Sequence, residues 1–67
     1  MTAIADVRSH LSYVALGYDE PFRQGRLSTD SGVDPRIVGH WLRRQVDLGE
    51  MRRKRINRQW WYEWVND

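Results

Sequence analysis

Between residues 34 and 49 the apolar positions repeat at helical spacing: Ile37, Val38, Trp41, Leu42, Val46 and Leu48 fall within one broad arc at about 100° per residue. Arg36, Gly39, His40, Arg43 and Asp47 lie opposite, so the pattern predicts one buried face and one presented face. Both ends carry stop signals. Asp34 can accept from the free N–H groups of the first turn, Pro35 loses nothing at the first helical position, and Gly49 can turn left-handed just past the end. The predicted helix spans 35–48.

Upstream, Ile4, Val7, Leu11 and Val14 recur every three or four residues and predict a first helix over about 3–16. Thr2 is its expected N-cap, Gly17 its end, and Asp6, Arg8, Ser9 and Ser12 its wet side. His10 borders the apolar stripe with no second ligand spaced to join it. Asp19-Glu20-Pro21 resembles a helix start, which predicts a second helix over about 21–30, beginning between Pro21 and Gly25, with Phe22 and Leu27 as core contacts. In Ser31-Gly32-Val33, Gly32 supplies positive φ for a tight turn and Val33 plugs back into the core. Two helices so joined make a helix-turn-helix.

After Gly49 the pattern becomes extended, and residues 50–65 read as a β-hairpin. A two-residue turn at Asn57-Arg58 sets Ile56 opposite Gln59 and fixes every other pair; without the favoured Asn-Gly, a longer turn is the alternative. On one side Met51 then faces Trp64, Arg53 faces Tyr62 and Arg55 faces Trp60. On the other, Arg52 faces Glu63 and Lys54 faces Trp61 as a cation beside an indole. Met51, Tyr62, Trp64 and part of Trp60 are expected over the helices, and Arg52, Lys54, Arg58 and Trp61 outside. The Arg53 and Arg55 stems should cover Trp60 and Tyr62, while Asn66 and Asp67 should fray.

Sixty-seven residues make a single α+β, mainly α domain over 1–67, and a chain this short buries only about 60% of its unfolded surface. Four Trp, three Tyr and one Phe supply the bulk a small core needs. With no Cys and two isolated His, no disulfide, metal site or cofactor is expected. No apolar run approaches the roughly 20 residues of a membrane span and no secretion signal is evident, so a soluble, cytoplasmic protein without a membrane partner is expected. The acids are scattered, and neither a nucleophile with its base nor a phosphate loop can be picked out. No enzymatic activity is expected.

Charge changes the picture more than composition does. Residues 1–35 hold three Arg against five acids, residues 36–58 hold eight basic groups against Asp47 and Glu50, and residues 59–67 carry two acids and no base. A local excess of six positive charges thus sits in the presented helix and the hairpin, the footprint of a surface that meets a polyanion.

Helix, short helix, turn, longer helix, basic hairpin is the order found in winged helix-turn-helix domains. The residues that carry the resemblance are Leu27-Ser28, Gly32-Val33 in the turn, Asp34 as cap, Val38 and Leu42 on the buried face, and Leu48-Gly49-Glu50-Met51-Arg52-Arg53 leading into an aromatic return strand. Over about residues 3–65 the chain resembles the small winged-helix regulators of bacteria, plasmids and phages. It departs from them at Gln45, where such domains carry a second leucine, and at Gly25 and the polar run Ser28-Thr29-Asp30-Ser31 in the second helix.

The resemblance implies a nucleoid-associated, sequence-specific binder of double-stranded DNA, acting as a transcriptional regulator or an excisionase-like accessory factor. Helix 35–48 would enter the major groove and the hairpin, or wing, would touch the backbone or an adjacent groove. By position, Arg36, Gly39, His40 and Arg43 would lie toward base edges, and Arg44, Arg52, Lys54 and Arg58 toward phosphates. Gly39 would allow close approach to DNA or make room for the first helix. Trp61 would stack on a sugar or base, or pack under a cation or partner subunit. Homodimerisation through helix one or the outer wing would add base contacts. The rival reading is a winged helix that binds an acidic or aromatic protein partner through Trp61 and the arginine-rich hairpin.

Overall fold

The computed structural model describes residues 4–65, so the expectations for Thr2, Asn66 and Asp67 lie outside the described residues. Three helices, α1 (Ile4–Leu16), α2 (Gln24–Ser31) and α3 (Pro35–Asp47), precede an antiparallel pair of strands, β1 (Met51–Ile56) and β2 (Gln59–Trp64). The architecture is the α+β arrangement expected, mainly helical and closed by a C-terminal hairpin.

Each α3 boundary has its chemical cause. Asp34 Oδ1 accepts from the Arg36 N–H at 2.8 Å, Pro35 holds the first position, and Gly49 takes φ +80° after Leu48 caps the other end. The turn before the helix also forms as read. Gly32 adopts φ +72°, and Ser28 Oγ donates to the Val33 carbonyl at 2.7 Å across it.

The hairpin register is the predicted one at every pair, from Met51 opposite Trp64 to Ile56 opposite Gln59. Asn57 and Arg58 both have positive φ, 52° and 67°, the left-handed pair that a tight two-residue turn between twisted strands requires.

The second helix begins at Gln24, within the expected window from Pro21 to Gly25 but late in it, because Phe22 pairs with β2: its N–H donates to the Tyr62 carbonyl at 2.9 Å, and the Tyr62 N–H donates back at 2.8 Å. Phe22 is therefore a core residue of a strand-like segment on the free edge of β2. Its ring lies 4.6 Å from Tyr18 and 6.3 Å from Tyr62.

Arg26 braces the same junction. Its guanidinium sits 4.5 Å over the Tyr18 ring, 3.6 Å from Glu20 and 3.7 Å from Asp30. The Tyr18 hydroxyl donates to Asp30 at 2.6 Å; burial first, and then this bond, push its pKa up to about 12.

Leu11, Ala15, Phe22, Leu27, Val38, Trp41, Leu42, Met51 and Tyr62 form the core, with Val7, Val14, Val33, Val46 and Trp64 packed against it. Trp64 joins both ends of the chain, donating from its indole N–H to the Ala15 carbonyl at 3.1 Å and meeting Trp41 edge-on at 6.3 Å. His10 stays exposed, and its Nε2 donates to the Ser31 carbonyl at 2.9 Å, satisfying the last turn of α2.

The buried arc of α3 is narrower than its periodicity suggests. Val38, Trp41 and Leu42 are buried, whereas Ile37 is 49% exposed and Leu48 58%. Helix α3 packs against α2 and β1, and Trp41 meets Trp64 of β2, while Ile37 and Leu48 stay open to solvent.

Candidate functional site

Two surfaces hold the residues singled out by charge. The first is the presented face of α3, where Arg36, His40, Arg43 and Arg44 are all exposed. Arg36 lies 3.6 Å from Asp34, but its side chain is 92% exposed, so water screens the pair and leaves the guanidinium available. Arg43 and Arg44 have no acidic partner among the described residues.

Gly39 stands apart from them. A Cβ built there meets Gln24 Nε2 at 3.0 Å and Gln24 Cδ at 3.3 Å. Gln24 Nε2 itself donates to the Pro35 carbonyl at 2.8 Å, so the missing side chain lets the first residue of α2 lie across the start of α3. Gly39 thus makes room for helix two, not for helix one. Periodicity carries no sign of this contact, because it joins two helices and depends on how they pack.

The second surface is the hairpin, and here the charges divide in an unexpected way. Arg52 Nε donates to Glu63 Oε2 at 2.9 Å, as the register predicts. Lys54 also turns to Glu63, with its ammonium 3.8 Å from Oε1, so its charge answers a carboxylate on the diagonal and not the Trp61 indole. Arg53 and Arg55 instead lie 4.4 and 5.5 Å over the Trp60 ring with no acid beside them among the described residues. Alternation along β1 sets these two on the same side as buried Met51, beyond the edge of the core. The uncompensated hairpin cations are consequently Arg53, Arg55 and Arg58, more than Arg52 and Lys54.

Trp61 is half-buried rather than fully outside, bordering a shallow recess with Pro21, Arg23, Gly25 and Thr29. The Phe22 segment, running along β2, brings those residues to it. Trp60, 41% exposed between two guanidinium groups, is the more open indole.

No family model, curated protein or solved structure matches the chain. The site must be judged on its own chemistry. Among the described residues no group of three His, Asp or Glu side chains is placed to hold a metal ion, and no helix is long and apolar enough to cross a membrane.

Arg58 is the most informative single position. Its φ of +67° belongs to the left-handed region, where a side chain costs roughly 1–2 kcal/mol and glycine costs nothing. A charged residue therefore occupies the tip where backbone geometry favours Gly. Arg58→Gly should raise stability by about 1 kcal/mol in a urea titration while weakening attachment to any polyanion that the tip meets. An unchanged or lower stability would remove the strain argument.

Proposed function

We propose that this chain is a sequence-specific double-stranded DNA-binding domain of the winged helix-turn-helix kind, with no catalytic role, serving as a transcriptional regulator or a recombination accessory factor. The observation that carries the reading is the exposed guanidinium set. Arg36, Arg43 and Arg44 project from one exposed helix face, and Arg53, Arg55 and Arg58 project from the adjoining hairpin without neutralising acids close by. Fork-shaped donors on a helix match the paired acceptors of guanine in the major groove. Cations on a hairpin suit phosphates, which position a protein without reading sequence.

In this reading α3 lies in the major groove, with Arg36, His40 and Arg43 toward bases and Arg44 toward the backbone. Gly39 supports the arrangement from behind, through Gln24. The hairpin contributes through Arg53, Arg55 and Arg58, while Glu63 draws off much of the charge of Arg52 and Lys54.

Selection from random-sequence duplex pools at two salt concentrations tests the proposal. Enrichment of a defined motif is expected; no binding at low salt would overturn it. With the selected site, Arg53→Gln combined with Arg55→Gln should reduce the slope of log affinity against log salt by about two, and Arg52→Gln with Lys54→Gln by clearly less. Equal slopes for the two variants would show that Glu63 does not matter.

A second reading, protein recognition through the hairpin, is favoured by one feature: Trp60, 41% exposed, offers an aromatic surface near its tip. A partner held there would lose affinity on Trp60→Ala and be indifferent to Arg36→Ala.

A further inference from the structure

Ile37 belongs to the apolar arc of α3 yet stays half exposed, at the margin of the face that carries Arg36, His40 and Arg44. Of the apolar residues in the first two turns of the helix, Val38, Trp41 and Leu42 are buried to within a few per cent, whereas Ile37 keeps about half its surface open. A lone exposed isoleucine is ordinary on a protein surface. This one differs in its company. At helical spacing it falls on one ridge with His40 and Arg44 and lies next to Arg36, so on the helix itself its exposed neighbours are hydrogen-bond donors, with the capping Asp34 carboxylate on its N-terminal side.

The DNA reading assigns those donors to acceptors on base edges. The other feature of the major groove is the 5-methyl group of thymine, which is recognised by apolar contact and not by hydrogen bonds. Ile37 supplies apolar surface at the N-terminal end of α3, the end that a recognition helix directs toward bases. Leu48, the other exposed apolar residue of this region, lies eleven residues further on, about 16 Å along the axis, beyond the last residue of the helix. Branching at Cβ also leaves Ile37 one strongly preferred χ1 in a helix, so its methyl groups are held in a fixed place.

We propose that Ile37 is a specificity-determining residue that packs on the 5-methyl group of a thymine beside the base pair met by Arg36. The proposal rests on the DNA-binding reading and adds a defined base to it. An Arg36–Ile37 pair would then read a guanine and a neighbouring thymine together, the first by hydrogen bonds and the second by contact.

The test uses the full chain and the duplex recovered by selection. Each thymine is replaced in turn by deoxyuridine, which removes the methyl group and leaves every hydrogen-bonding group in place. One replacement should weaken wild-type binding by about four-fold, the effect of losing one buried methyl, and should have no effect on Ile37→Ala. Ile37→Val, which keeps the branch, should retain most of the discrimination. Circular dichroism of each variant confirms that folding is unchanged.

Indifference at every thymine, a selected site with no thymine, or an equal loss in wild type and Ile37→Ala would each overturn the role of Ile37 while leaving DNA binding intact. Failure of the selection itself would overturn the DNA reading instead. The two failures are therefore distinguishable.

Discussion

Phe22→Ala is expected to lower stability by about 3–5 kcal/mol, the largest loss of any single truncation argued for this chain. Phe22 is 1% exposed, and its ring meets Tyr18 on one side and Tyr62 on the other. Truncating a buried phenylalanine costs about 3–5 kcal/mol, the lost transfer energy plus the cavity left behind. A domain of this length has a total stability of roughly 3–10 kcal/mol at ordinary values per residue, so one such loss consumes much or all of it. The backbone adds to the argument, because the paired N–H and carbonyl groups of Phe22 fasten the segment before α2 to the edge of β2. Thermal melting followed by circular dichroism checks the prediction, with Tyr13→Ala at a largely exposed position as the control. A cooperative transition within about 1 kcal/mol of wild type would mean that the junction between α2 and β2 contributes little.

Phe22 also shows where the sequence stops being readable. Its place in the core was legible from its character, but its partner was not. A single bridged residue has no alternating pattern, and Asp19-Glu20-Pro21 imitates a helix start. The hairpin was legible for the opposite reason: a turn at Asn57-Arg58 and the two-residue alternation of six-residue strands agree on one register. Helix α3 lay between these cases. Asp34, Pro35 and Gly49 marked its limits, yet periodicity gives the direction of a buried face without its width, which depends on how much of the helix its neighbours cover. Ile37 and Leu48 were misplaced on that account.

The candidate site was legible in its charges and less so in their compensation. Counting basic residues located the surface, but Glu63 is shared by Arg52 and Lys54, and only the direct cross-strand member of that trio follows from the register. The freedom of Arg53 and Arg55 depends on the same side-chain geometry. Gly39 is compatible in sequence with close approach to DNA or to helix one, and its neighbour is instead Gln24, a contact that only the packing of α2 against α3 creates.

Replacing Arg36 and Arg43 together by alanine should abolish selective binding while sparing both the fold and weak attachment to any duplex. Each arginine that grips a guanine through two hydrogen bonds supplies about 1–3 kcal/mol of discrimination. The two positions are seven residues apart, two turns of one face and about 10 Å along the axis, far enough for their effects to add approximately. The expected loss of preference is therefore at least about 30-fold at the selected site, since each 1.4 kcal/mol is a factor of ten. Stability should stay within about 0.5 kcal/mol of wild type, because both side chains are exposed and neither touches the core.

Binding to unrelated DNA at low salt should persist through Arg44, Arg53, Arg55 and Arg58, which carry their charges outside that pair. Competition between specific and random duplexes measures the two quantities in one experiment. Equal loss on both would make α3 a source of phosphate contacts only, and no loss on either would move recognition away from α3. Because a protein partner centred on Trp60 would scarcely register the double substitution, the same variant separates a helix that reads DNA from a hairpin that grips a protein.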